Sequence, residues 1–182
     1  MSVHNAELAA LEAMAIKAGM LRLRGVAVIL TVPGWGSDQW DPQVRAVGNI
    51  VDTPATATDG NPAGINYWAV AMSRVAEMIE TGRHSGTSGQ PPRLGILGDV
   101  GGIVYDRHGL RIYLAFAGSE PVKDIDVVKA GWATVNDALD RVLDEQTEMM
   151  DQLRAAILAF ARNPTESEPP KRKPYARRGW DD

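Results

Sequence analysis

The sequence predicts an α+β domain: an antiparallel sheet of about five strands, helices packed on one face of it, and a long C-terminal helix. Three observations lead there. Residues 26–32 form an aliphatic run, interrupted by Thr31 alone, between Gly25 and Pro33, which has the length and flanking residues of a buried strand. Residues 101–117 hold two short apolar-rich runs on either side of His108 and Gly109, the pattern of two strands joined by a tight turn. From Pro121 onward, apolar residues recur in steps of three and four well past the length of an ordinary helix.

With 182 residues, 45% of them hydrophobic, the chain can fill one core but is short for two domains once its polar end is set aside. Cysteine is absent, so neither a disulfide framework nor a thiolate metal site can form. The N-terminal stretch lacks a basic region followed by an apolar run, and nothing later reaches membrane-spanning length. A cytoplasmic protein without a membrane partner is the expectation. With 19 Lys and Arg against 23 Asp and Glu, the balance argues against a nucleic-acid footprint over the whole domain.

Taken in order, the elements start with Asn5, which suits a helix N-cap. Leu8, Leu11, Ala15 and Ala18 then recur at helical spacing until Gly19. The strand at 26–32 follows, and a second is expected over 46–51. Between them the loop PGWGSDQWDPQ holds Trp35 and Trp40. Two large aromatics in such a loop either line a ligand or partner surface or pack back onto the domain. Residues 53–64 read as a polar loop. A helix over 65–81 then places Ala69, Met72, Val75, Ala76 and Ile79 on one face. Residues 82–92 read as a flexible linker, and 94–97 as a short strand before the hairpin.

In the last strand Ile112, Leu114 and Phe116 alternate with Tyr113, Ala115 and Ala117. Gly118 and Ser119 then break the run before Pro121, a residue suited to the first helical turn. A glycine turn at a helix start leaves N–H groups unpaired, so Gly118, Ser119 and Glu120 could receive a carboxylate or phosphate; the plainer reading is that Gly118 only makes the turn. Asp124 and Asp126 fall in the first turns, where helix-dipole electrostatics is enough to explain them.

The final helix carries Ile125, Val128, Trp132, Val135, Leu139 and Val142, and the series resumes after Gln146 with Met149, Leu153, Ala156 and Phe160. This is a heptad seam. A helix of about 40 residues would be about 60 Å long, roughly twice the span of a small domain. Part of it must therefore meet another chain or water, and a homo-oligomer is expected. The chain thus divides into a domain at 1–142, a helical extension at 143–162 and a tail at 163–182. That tail is rich in Pro and charge and is expected to be disordered. Its KRKPYARR core would suit nucleic acid or an acidic partner, or serve only solubility.

A further signal lies in spacing. Ala117-Gly118-Ser119, four intervening residues, Asp124, then Val127 or Val128 and the pair Ala130-Gly131 resemble the closing motif of the GlcG/HbpS-like haem-binding domains. GGIVYD at 101–106 and the turn at His108 and Gly109 resemble that family's penultimate hairpin. The resemblance covers the order of elements over about residues 6–140 and is sharpest over 101–131. It implies a small-ligand-binding domain for haem, a related tetrapyrrole or another anionic small molecule, with the ligand's acidic groups near Gly118 and Ser119. By the same resemblance Ala71 and Arg74 occupy the places of an alanine and a lysine on the family's middle helix. Arginine keeps the charge but not the geometry. The loop holding Trp35 and Trp40 is longer than the family's hairpin.

Catalytic signatures are scarce: no His-x-x-x-His pair or Gly-x-Ser-x-Gly elbow occurs, no Asp-x-Asp falls in a loop, and His4, His84 and His108 read as surface residues. Some family members carry a histidine in the first helix, where this chain has Glu12, Met14 and Lys17. His4 or Met14 could stand in as an axial haem ligand, although Met14 also suits core packing. Two readings follow: a ligand-binding protein without evident catalytic residues, or an assembly protein that uses its domain, long helix and basic tail to engage a partner.

Overall fold

A computed structural model describes residues 2–33, 40–48, 52–53, 65–89, 91, 98–118 and 120–162. In chain order the elements are α1 (Val3–Met20), β1 (Gly25–Pro33), β2 (Gln43–Val47), β3 (Asp52–Thr53), β4 (Ile65–Asn66), α2 (Tyr67–Thr81), β5 (Gly102–Arg107), β6 (Leu110–Gly118) and α3 (Pro121–Arg162). The chain divides into two units after Asp144, and α3 supplies residues to both.

The α+β class, the antiparallel sheet and the long last helix are all present. Four strands form the main sheet in the order β2-β1-β6-β5, every neighbour antiparallel, while β3 and β4 make a separate two-stranded ribbon. The strand expected at 94–97 lies outside the described residues. Nine residue pairs join β1 to β6, from Gly25 opposite Gly118 to Pro33 opposite Leu110, so the aliphatic run and the family-like strand are the two central strands. β2 lies earlier than the 46–51 expected. Its ladder ends where Val47 faces Gly25, and Gly48, at φ +73°, turns the chain away in a conformation that side chains disfavour.

One expectation is corrected: the helices cover both faces, not one. Val26, Val28, Leu30 and Val32 pack with Tyr67, Ala71, Val75 and Met78 of α2. The alternate residues Ala27 and Ile29, with Ile112, Leu114 and Phe116, pack with Met14 of α1 and Val128, Val135 and Leu139 of α3. The physical reason is visible in β1 itself. A strand with no polar alternation exposes apolar side chains on both sides and needs cover on both. Each fully buried side chain of the size of Leu114 or Phe116 contributes about 1.5–3 kcal/mol relative to exposure.

Helix ends follow local chemistry. The Ser2 hydroxyl accepts from the Asn5 N–H at 3.2 Å, so α1 begins before Asn5. Asn66 caps α2 by accepting from the Ala69 N–H at 2.9 Å, and Gly82 closes that helix in the left-handed region. Gly131 lets α3 close on the layer beneath. A Cβ there would lie 2.6 Å from Met14 Cγ and 3.0 Å from Leu114 Cδ2.

The segment after α2, expected to be a flexible linker, is fastened at 84–88. Buried Glu77 accepts from the Gly86 N–H at 3.1 and 3.2 Å and from the Ser88 hydroxyl at 2.8 Å. So held, the segment runs beside β5. The Ser85 N–H donates to the Gly102 carbonyl at 3.2 Å, and His84 Nδ1 accepts from the Val104 N–H at 3.1 Å. The His84 ring meets Tyr105 edge-on, and Tyr105 stacks on Trp132 of α3 at 4.2 Å. At the β5–β6 turn, His108 and Gly109 both have positive φ. Asp140 of α3 holds the turn through His108 Nε2 at 2.7 Å and Arg107 Nη2 at 2.8 Å. These two partners keep the Asp140 carboxyl below the ordinary carboxylate range.

In the second unit, helix α3 exposes Met149, Met150, Leu153, Ile157, Leu158 and Phe160. Among the described residues no helix is long and apolar enough to cross a membrane.

Candidate functional site

Arg74 lies three residues after Ala71 on the sheet-facing side of α2, so its guanidinium is carried under the end of β6. It is 1% exposed. Nη1 donates to Asp124 Oδ2 at 2.8 Å and to the Phe116 carbonyl, and Nη2 donates to Asp99 Oδ2 at 3.0 Å. Asp124, fully buried, also accepts from the Gly118 N–H at 3.2 Å. One arginine and one aspartate thus fasten α2, the end of β6, the start of α3 and the segment at Asp99. Burial pushes the Asp124 carboxyl above the ordinary range, against the pull of Arg74 and the Gly118 N–H.

The geometry changes the meaning of the glycine turn. The Gly118 N–H, a candidate anion donor from the sequence, already serves Asp124. A Cβ on Gly118 would lie 2.8 Å from the Phe116 ring and 2.9 Å from Asp124 Oδ1, so glycine is required there by the protein's own packing. Ser119 lies outside the described residues. The Glu120 carboxylate pairs with Lys123 Nζ at 2.7 Å on the surface, and the Glu120 carbonyl accepts from the Lys123 and Asp124 N–H groups. The arrangement is a charged tie between elements, with its donors directed inward.

A second cluster forms at the start of α1. Glu7, one turn after His4, turns its side chain toward the sheet and is 7% exposed. His4 Nδ1 stands 3.7 Å from Glu7 Oε2, and the His4 side chain is 58% exposed. Burial pushes the Glu7 carboxyl above its usual value. Thr31 of β1 and His4 act the other way, and Asp41 adds to the rise. The Arg45–Glu12 ion pair joins β2 to α1, and Trp40, three residues ahead of β2, is 44% exposed. Glu7 and Thr31 were not singled out. The signal for Glu7 was its position one turn after His4.

Two of the solved structures to which the chain is similar are the following. One is the Klebsiella pneumoniae protein ORFY, of the family model DUF336, with TM-score 0.49 and 10% identity over 74% of this chain and 90% of that one. The other is a PduOC:heme complex, with TM-score 0.42 and 18% identity over 75% of this chain and 95% of that one. No family model matches the sequence, and no curated protein matches it.

Of the other residues singled out, Met14 is fully buried, its sulfur against the position a Gly131 side chain would take, which is the placement of a core residue. Trp35 lies outside the described residues. Among the described residues no group of three or more His, Asp or Glu side chains is placed to hold a metal ion.

Glu7 gives the cluster a pH dependence. A carboxyl whose folded value is raised contributes its stability below the unfolded value, and that contribution is lost as pH rises through the folded one. Glu7→Gln is therefore expected to raise the melting temperature at pH 7 and leave it nearly unchanged at pH 4. An equal shift at both pH values would show that Glu7 does not carry this dependence.

Proposed function

We propose that the chain is a non-catalytic, GlcG/HbpS-like domain that binds a small ligand of the tetrapyrrole class, haem being the first to test, and that His4 at the start of α1 holds it. One observation carries this reading. The Gly118 N–H is taken by Asp124 and the Arg74 Nη groups by Asp124, Asp99 and the Phe116 carbonyl, whereas the His4 ring is exposed and stands beside a buried carboxyl group. A carboxylate behind a ligating imidazole fixes the ring's orientation and raises its basicity. The donor set fits haem, whose iron accepts an imidazole nitrogen and supplies the chromophore. Glu7 would orient that ring through Nδ1 and leave Nε2 for the ligand. Trp40, 44% exposed just ahead of β2, would add an aromatic surface. The motif spacing over 101–131 supports the class of ligand.

Titration of the purified protein with haem tests it. A saturable Soret change with the signature of histidine ligation is expected. His4→Ala should abolish that signature, and Glu7→Gln should weaken binding by about tenfold. Absence of any saturable change removes the ligand reading. Histidine ligation that survives in His4→Ala moves the site elsewhere in the domain.

A further inference from the structure

We propose that residues 146–160 of α3 form an antiparallel pairing surface for the same helix of a second copy of this chain. In this span Gln146, Met149, Leu153, Ala156 and Phe160 follow one another in steps of three and four, as alternate a and d positions of a heptad. All lie on one continuous helix. Met149 is 65% exposed, Leu153 53% and Phe160 74%. The seam is widened on one flank by Met150 and Ile157 at e positions, so the stripe is three residues broad rather than two.

Composition and charge select the occupant. Residues 145–162 carry three acidic residues, two arginines and no lysine, whereas a helix that lies on an anionic membrane surface needs a basic polar face. Residues 163–182 contain no Leu, Ile, Val, Met or Phe, so that stretch supplies no matching aliphatic stripe. An identical helix can. Its knobs have the spacing of the holes they would fill, and because the helix is already formed, pairing carries little backbone ordering cost.

The flanks select the direction. In parallel pairing each e residue faces the partner's g residue, which would set Ile157 against Gln152. In antiparallel pairing e faces e, so Met150 and Ile157 are covered by apolar neighbours, and the helix dipoles oppose. Centred between Leu153 and Ala156, this arrangement gives apolar layers only. Met149 of one copy meets Phe160 of the other, Leu153 meets Ala156, and Gln146 falls just beyond the paired span.

Sedimentation of the full chain over a concentration series reads the contact. Wild type should dimerise. Leu153→Glu with Ile157→Glu, which buries two unpaired charges, should weaken the dimer by about 100-fold or more while the domain's near-ultraviolet spectrum is unchanged. The absence of native cysteine permits a second measurement that does not depend on that variant. Met149→Cys and Phe160→Cys proteins, mixed under copper-catalysed air oxidation, should cross-link as a heterodimer, and neither alone should do so efficiently. A wild-type monomer at all concentrations, or an unchanged dimer in the charged variant, overturns the pairing surface. Efficient self-cross-linking of each single variant overturns the antiparallel direction. None of these outcomes depends on whether a tetrapyrrole binds.

Discussion

Asp124→Ala is expected to destabilise the domain by about 3–5 kcal/mol, because it leaves the Arg74 guanidinium buried without its closest charged partner. Arg74 Nη2 keeps Asp99, but Asp99 is partly in water, whereas Asp124 and Arg74 are both buried. The Gly118 N–H loses its acceptor in the same variant. Replacing both charges by apolar residues of similar size, Arg74→Met with Asp124→Leu, should cost less than Asp124→Ala alone, since the only charge then left unpaired, Asp99, is partly in water. Denaturant unfolding of the three proteins measures this. If the double variant is no more stable than Asp124→Ala, the buried pair is contributing more than mutual neutralisation.

Gly101→Ala is expected to cost as much, although no charge is removed. Gly101 has φ +128°, a conformation that L side chains rarely adopt, and strain of that kind costs on the order of 1–3 kcal/mol. A Cβ there would also meet the Arg74 guanidinium and come within 3.0 Å of the Phe116 carbonyl. The arginine would have to leave the position from which it reaches Asp124. The prediction is that Gly101→Ala and Asp124→Ala are strongly non-additive, because both break the same tie. Additive losses in the combined variant would show that Gly101 acts through its backbone alone.

These variants also mark what the sequence could reveal. The central strands, the hairpin turn at His108 and Gly109, and the long helix were legible because each rests on local pattern: an aliphatic run, a two-residue turn, a repeat of threes and fours. The placement of α2 was written in the same run. A strand apolar at Val26, Ala27, Val28, Ile29 and Leu30 cannot leave either face bare, although periodicity of the helices alone does not say which face each takes. The tie was half legible. Arg74, Gly118 and Asp124 stood out one by one, but their mutual contacts join residues 50 positions apart in the chain, and Asp99 sits in a segment with no period at all. That the Gly118 N–H is already engaged depends on the Asp124 rotamer, which no spacing encodes. Glu77 and His84 were missed for a related reason. Burial of a carboxylate under its own loop, and a ring nitrogen serving a strand, leave no mark in hydrophobic pattern.

The residues beside β5 have a consequence for how sheets of neighbouring molecules can join. With the Gly102 carbonyl and the Val104 N–H already engaged by Ser85 and His84, that margin offers an incoming strand no continuous ladder to extend. β2 is the other outermost strand of the sheet. Growth by strand addition is therefore one-sided: a second molecule joined at β2 through its own β2 would present only closed margins, and the assembly would stop at two. An unbounded ribbon needs two open margins on every subunit, and among the described residues the four-stranded sheet supplies at most one.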